Sequence, residues 1–131
     1  MTEFSKDDID KMENLYRINL INSCSGYKSA NLIGTKDKNG NSNVAVFSSV
    51  THIGSNPALF GFFTRPTSVA RHTYDNIKET GVFTLNHIHA DIIEDAHHTS
   101  AKYNKSVSEF DVTLLKAVSY THLTLPTTPY V

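Results

Sequence analysis

Two stretches of this chain gather side chains suited to holding an anion. Ser48, Ser49, Thr51 and His52 end an expected strand, and Thr64-Arg65-Pro66-Thr67-Ser68 and Arg71-His72-Thr73 come shortly after. Arginine offers a planar fork that matches phosphate, and hydroxyls add donors. A helix expected to open at Ser68 would add free N–H groups at its N-terminus. The competing reading is plainer: Ser68 only caps the helix, and Arg71 is a solvated helix charge. Spacing alone leaves the two equal.

The histidines are a second group. His87, His89, His97 and His98 lie close together, with Asp91, Glu94 and Asp95 between them. Imidazole is a common metal ligand, and His87 and His89 would share a side of an extended segment. No HExxH or CxxC frame accompanies them, so surface histidines beside a helix are the stronger reading. Nucleophilic chemistry has less support. Cys24 lies between Ser23 and Ser25 with no histidine close in sequence, and no G-x-S-x-G elbow is present. Asp91, Glu94 and Asp95 read better as helix-dipole partners than as an acid–base pair.

The elements that position these residues follow from pattern. Ser5 and Asp8 form an N-cap pair for a first helix, with Ile9, Met12 and Tyr16 on one face. Ile18 to Ile21 reads as the start of an extended stretch. Ala30–Lys36 and Asn43–Val50 read as strands joined through Asn39-Gly40, a strong hairpin signal. A third strand is expected over Ala58–Phe63 after a turn at Ser55-Asn56-Pro57. A helix from Ser68 should stop at Gly81, with a strand at Val82–Asn86 and a short helix at Asp91–His98. Such an order favours an antiparallel sheet or barrel over a doubly wound fold.

Composition narrows the class further. At 131 residues the chain is one small domain. Its net charge of −1 argues against a nucleic-acid partner. A single cysteine excludes an internal disulfide framework. The longest apolar runs are too short to span a bilayer, and the polar, acidic N-terminus is not a signal peptide. The expectation is a cytoplasmic protein with no membrane partner.

The last stretch departs from the rest. All 12 Lys and Arg and all 13 Asp and Glu precede Val118, and residues 118–131 carry no charge. Val118-Ser119-Tyr120-Thr121-His122-Leu123-Thr124-Leu125-Pro126-Thr127 resembles a translated transposase mosaic end, a sequencing adapter. On that reading the natural sequence stops near Lys116 and the whole protein is longer. The expected division is 1–25 as N-terminal helix and lead-in, 26–116 as the domain, and 117–131 as an adapter-derived tail.

From about Gly26 to Leu115 the chain resembles the flavin reductase-like, FMN-binding split-barrel family that includes flavoredoxin. The phrases that carry the resemblance are Asn43-Val44-Ala45-Val46-Phe47-Ser48, Gly54-Ser55-Asn56-Pro57-Ala58-Leu59, Thr64-Arg65-Pro66 and the run from Arg71 to Gly81. Phe83-Thr84-Leu85-Asn86, His98-Thr99-Ser100-Ala101 and Ser108-Glu109-Phe110-Asp111 follow in the family's order. The resemblance implies a mainly β fold with short helices, an antiparallel FMN-binding split barrel that dimerises, here incomplete at its C-terminus. It implies that Ser48, Ser49, Val50 and Thr51 lie along the flavin. Thr64 and Arg65, with Arg71 and Thr73, would hold the phosphate, and Asn86 matches a family asparagine. His72 stands where many relatives have Asp, and His52 is a further candidate contact.

Three functions follow. The first is an FMN-dependent reductase that takes hydride from NAD(P)H, with no catalytic side chain of its own and no metal, because the cofactor does the difficult chemistry. The second is a non-catalytic FMN-binding or electron-carrier protein of the same fold. The third is a metal-binding module built on the four clustered histidines.

Overall fold

The computed structural model describes residues 3–117. Two short helices come first, α1 (Lys6–Lys11) and α2 (Asn14–Ser23). Ser5 and Asp8 close a reciprocal capping box, as their spacing predicts. Met12 then turns extended, and the Glu13 carboxylate accepts the Leu15 and Tyr16 N–H groups to start α2. Residues 18–21 are therefore helical and not extended. A side-chain cap at Glu13 restarts the helix and carries it through this stretch. Neither helix buries a residue.

The centre is an antiparallel sheet of β1 (Asn31–Lys36), β2 (Ser42–Phe47) and β5 (Thr84–His87), in the order β2-β1-β5. The β1–β2 turn is held by Asp37, whose Oδ1 accepts the N–H groups of Asn39 and Asn41 at 2.9 Å. Gly40 sits at φ 86° there, a region that favours glycine. A second antiparallel pair is formed by β3 (Thr51–Ser55) and β4 (Ala58–Gly61). The sequence reading missed β3, and the expected third strand ends at Gly61. Alternation is weak across Thr51–Ser55, and the pair is irregular between His52 and Gly54.

Helix α3 (His72–Thr80) follows, ending on Gly81 at φ 73° with its N–H bonded to Ile77 O. It begins at His72 and not at Ser68, because its register is set by tertiary anchors. Asn76 Nδ2 donates to Thr35 Oγ1 at 3.1 Å, and Asn43 Nδ2 donates to Thr73 Oγ1 at 3.0 Å. Ser68, Val69 and Ala70 are exposed and have nothing to pack on. A 3-10 turn at Ala90–Ile92, then α4 (Ile93–His98) and α5 (Glu109–Val112), complete the described chain.

The register divides the sheet into two faces, because side chains alternate along a strand. One face carries Leu32, Val44 and Val46, which pack with Ala96, Ile92, Phe110 and Leu115. On that side the buried Glu109 carboxylate accepts the Val44 N–H at 3.2 Å. The other face carries Asn31, Ile33, Thr35, Asn43, Phe47 and His87. Helix α3 covers part of it. Phe47, Phe62 and Phe83 form an edge-to-face chain, with each neighbouring pair of centroids 5.1 Å apart, that ties in the segment after β4.

Candidate functional site

Ser49 fixes the crossing from β2 to β3. Its hydroxyl donates to Phe63 O and accepts the Phe63 N–H, both at 3.0 Å. This places Ser48, Ser49, Val50 and Thr51 beside the stretch that contains Thr64 and Arg65. Thr64 is half-buried and Arg65 exposed. Arg71 closes the other end of that loop, with Nε directed at Pro66 O at 3.5 Å. The Ser49–Phe63 bonds span 14 residues of sequence, and the Arg71 contact with Pro66 closes the loop that follows.

Arg71 is also the N-cap residue of α3, and no side chain caps this helix end. The first-turn N–H groups are therefore left to other partners. Moving the helix start from Ser68 to His72 brings this donor-rich terminus directly to Arg71 and Thr73. Thr73 is 7% exposed and accepts from Asn43, while its own proton has no acceptor among the described residues. A guanidinium, an uncapped helix start and a hydroxyl make a set whose chemistry fits a phosphate group.

Asn86 is not brought to this group. It pairs with Leu32, which puts its side chain on the face opposite α3, and its Nδ2 donates to Leu32 O at 3.4 Å and Thr84 Oγ1 at 3.2 Å. His52 turns to its own hairpin, with Nε2 3.2 Å from Ser55 Oγ and its ring edge-on to Phe60. Among the described residues no three His, Cys, Asp or Glu side chains converge on a point. His89 instead faces Asp91 at 3.5 Å, and Asp95 Oδ1 accepts the Leu114 N–H. These contacts give the histidine cluster no metal-site geometry.

A polar cleft of about 500 Å³ lies further along the sheet, between the β1–β2 turn, α3 and the lead-in to α5. It is lined by Asp37, Asn41, Asn43, His72, Lys105 and Asp111 among others, and it contains none of the residues expected along the flavin. The carboxylates held below their ordinary range are also outside the Ser49–Arg71 group. Asp37 is lowered by hydrogen bonds from the Asn41 side chain and backbone, Asp8 by its bonds with Ser5, and Glu13 by the Leu15 and Tyr16 N–H groups.

The family model described as a flavin reductase like domain matches residues 26–126, beginning where the helical lead-in gives way to the sheet. The chain belongs to this family. The flavin reductase-like domain is 50% identical to a split-barrel protein of Shewanella frigidimarina assigned as a flavin reductase. That match covers 88% of this chain and 57% of the other, with a TM-score of 0.82. Two more distant structures share the fold. One is the 2-nitrobenzoate 2-nitroreductase of Pseudomonas fluorescens, at 22% identity and TM-score 0.66, covering 85% of this chain and 51% of that one. The other is nitrilotriacetate monooxygenase component B of Bacillus cereus, at 18% identity and TM-score 0.69, covering 86% and 55%. The domain thus spans little more than half the length of each. Among curated proteins no match is found. The fold is that of the split-barrel flavin reductases, strand-rich with short helices. The sequence reading placed a sequencing adapter at 118–131, which lies outside the described residues. No described helix is long and apolar enough to cross a membrane.

Proposed function

We propose that this flavin reductase-like domain binds FMN and serves as an NAD(P)H-dependent flavin oxidoreductase of the cytoplasm. One observation carries the reading. The Ser49–Phe63 crossing and the uncapped start of α3 at Arg71 bring a polar strand exit and a phosphate-suited donor set to one side of the sheet. In this reading Arg71, Thr73, Arg65 and Thr64 hold the phosphate, Ser48 to Thr51 follow the ribityl chain and ring, and Asn86 braces β5 from the opposite face. Bound FMN would accept a hydride from NADH or NADPH, and the chain's own work is to bind and orient it.

A homodimer completes the reading. Ile53, Phe60 and Phe63 are 63%, 65% and 78% exposed, and they flank the candidate site. A second copy laid over them would bury this apolar rim and exclude water from the flavin.

The test is direct. Purified full chain mixed with FMN should retain yellow colour through gel filtration and elute as a dimer. Anaerobic NADH or NADPH should then bleach the flavin absorbance. A protein that holds flavin but is bleached by neither nicotinamide would be the electron carrier instead. A colourless protein after saturation with FMN would remove both readings.

A further inference from the structure

The contribution of β5 to the flavin site is a matter of strand parity. Asn86 points away from α3, so its neighbour His87 points toward the side that holds Phe47, Asn31 and α3. Asn31, Phe47 and His87 form one row across the end of the sheet, because Asn31 pairs with Phe47 on one side and His87 on the other. The chain leaves this row at Ser48, the first residue of the candidate flavin segment.

His87 does not sit there freely. Its Nδ1 lies 2.8 Å from Oδ1 of Asn31, a side chain with 0% exposure. The Asn31 amide is oriented by what its other end meets. Its Nδ2 faces the Ser29 carbonyl and the Ser29 hydroxyl, both at 3.3 Å. Turning the amide over would set Oδ1 against that carbonyl, two acceptors with no proton between them. Oδ1 therefore faces His87, and an oxygen there can only accept. Nδ1 must carry the proton, so in the neutral ring Nε2 is left as a bare acceptor on an exposed residue.

Oxidised flavin has one ring N–H, at its N3 position, and otherwise presents acceptors on its polar edge. An acceptor fixed on a buried support is the complement of that single donor. We infer that His87, locked by Asn31 as the Nδ1–H tautomer, receives the N3–H of the flavin ring and selects flavin by that contact. This rests on the FMN reading above and adds to it a ring-recognition residue on β5. His87 is a binding residue, and Asn31 is the positioning residue that acts through it.

The experiment has a ligand-free arm and a binding arm. In mildly alkaline buffer, nitrogen NMR of the full chain should show His87 protonated at Nδ1 and bare at Nε2. The reverse tautomer would overturn the inference without any flavin present. In the binding arm, FMN and N3-methyl-FMN are titrated into the wild type and His87→Ala by fluorescence quenching. The wild type should prefer FMN over the methylated analogue by about five-fold more than His87→Ala does, the range of one hydrogen bond. Equal discrimination by both proteins would overturn the inference while FMN binding itself stands. His87→Ala strands a buried oxygen on Asn31, so His87→Gln is measured beside it. Gln keeps an acceptor and should restore part of the preference. A wild type that binds neither flavin would end this inference together with the FMN reading, and the tautomer result shows separately whether the lock exists.

Discussion

The hydroxyl of Ser49 bonds both the carbonyl and the N–H of Phe63, each at 3.0 Å. One side chain thus serves two main-chain groups that β4, ending two residues earlier, no longer pairs. The consequence is positional, because residues 48–51 cannot drift from residues 64–65 while this clamp holds. Ser49→Ala should lower stability by about 1 kcal/mol. It should weaken FMN several-fold more than that loss alone would require. Chemical denaturation and a flavin titration on the same sample separate the two effects.

Arg71 is the charge at the uncapped end of α3. Arg71→Ala should cost FMN binding about 1.5–3 kcal/mol, as for a charge-assisted hydrogen bond. Riboflavin, which has no phosphate, should bind variant and parent alike. Equal loss of both ligands would make Arg71 structural.

Glu109 ties α5 to the free edge of β2. The residue is 6% exposed, and its carboxylate accepts the Val44 N–H. Glu109→Ala leaves that N–H buried without a partner and should destabilise by about 1–3 kcal/mol. Glu109→Gln keeps an acceptor oxygen and should lose less. Urea midpoints of the three proteins, compared at unchanged slope, decide this.

Asp8 gives the N-terminal helix an acid sensitivity. Its bonds with Ser5 hold its pKa below the ordinary 3.8. A lowered carboxylate pKa means the folded state favours the ionised form. Its contribution is therefore complete above the ordinary value and is lost as pH falls through the lowered one. Amide exchange in α1 should speed up over that acid window, and Asp8→Asn should flatten the dependence.

Much of this architecture is written locally. Ser5 with Asp8, Asn39-Gly40 between apolar runs, and Gly81 after an amphipathic stretch each specify a cap or turn through chemistry within four residues, and all three stand in the structure. The anion-suited residues were legible in the same way, as types and spacing. The beginnings of α2, β3 and α3 were not. Each depends on a partner that local pattern does not weigh: the Glu13 carboxylate, the β4 strand, and the Thr35 and Asn43 side chains reached from Asn76 and Thr73.

What the sequence determined by itself is the family, the strand-rich class and the inventory of donors, because caps, turns and residue order are short-range properties. What only the tertiary structure decided is which donors share a side. Asn86, a flavin candidate, and His87, a metal-ligand candidate, are adjacent in sequence, yet the register with Asn31 and Leu32 sends them to opposite faces of the sheet. Strand side chains alternate with a period of two, so a shift of one residue in pairing would exchange their places. That register is set by contacts across the sheet, where Ile33 is fully buried on one face and Leu32 on the other, and no local pattern in β5 contains it.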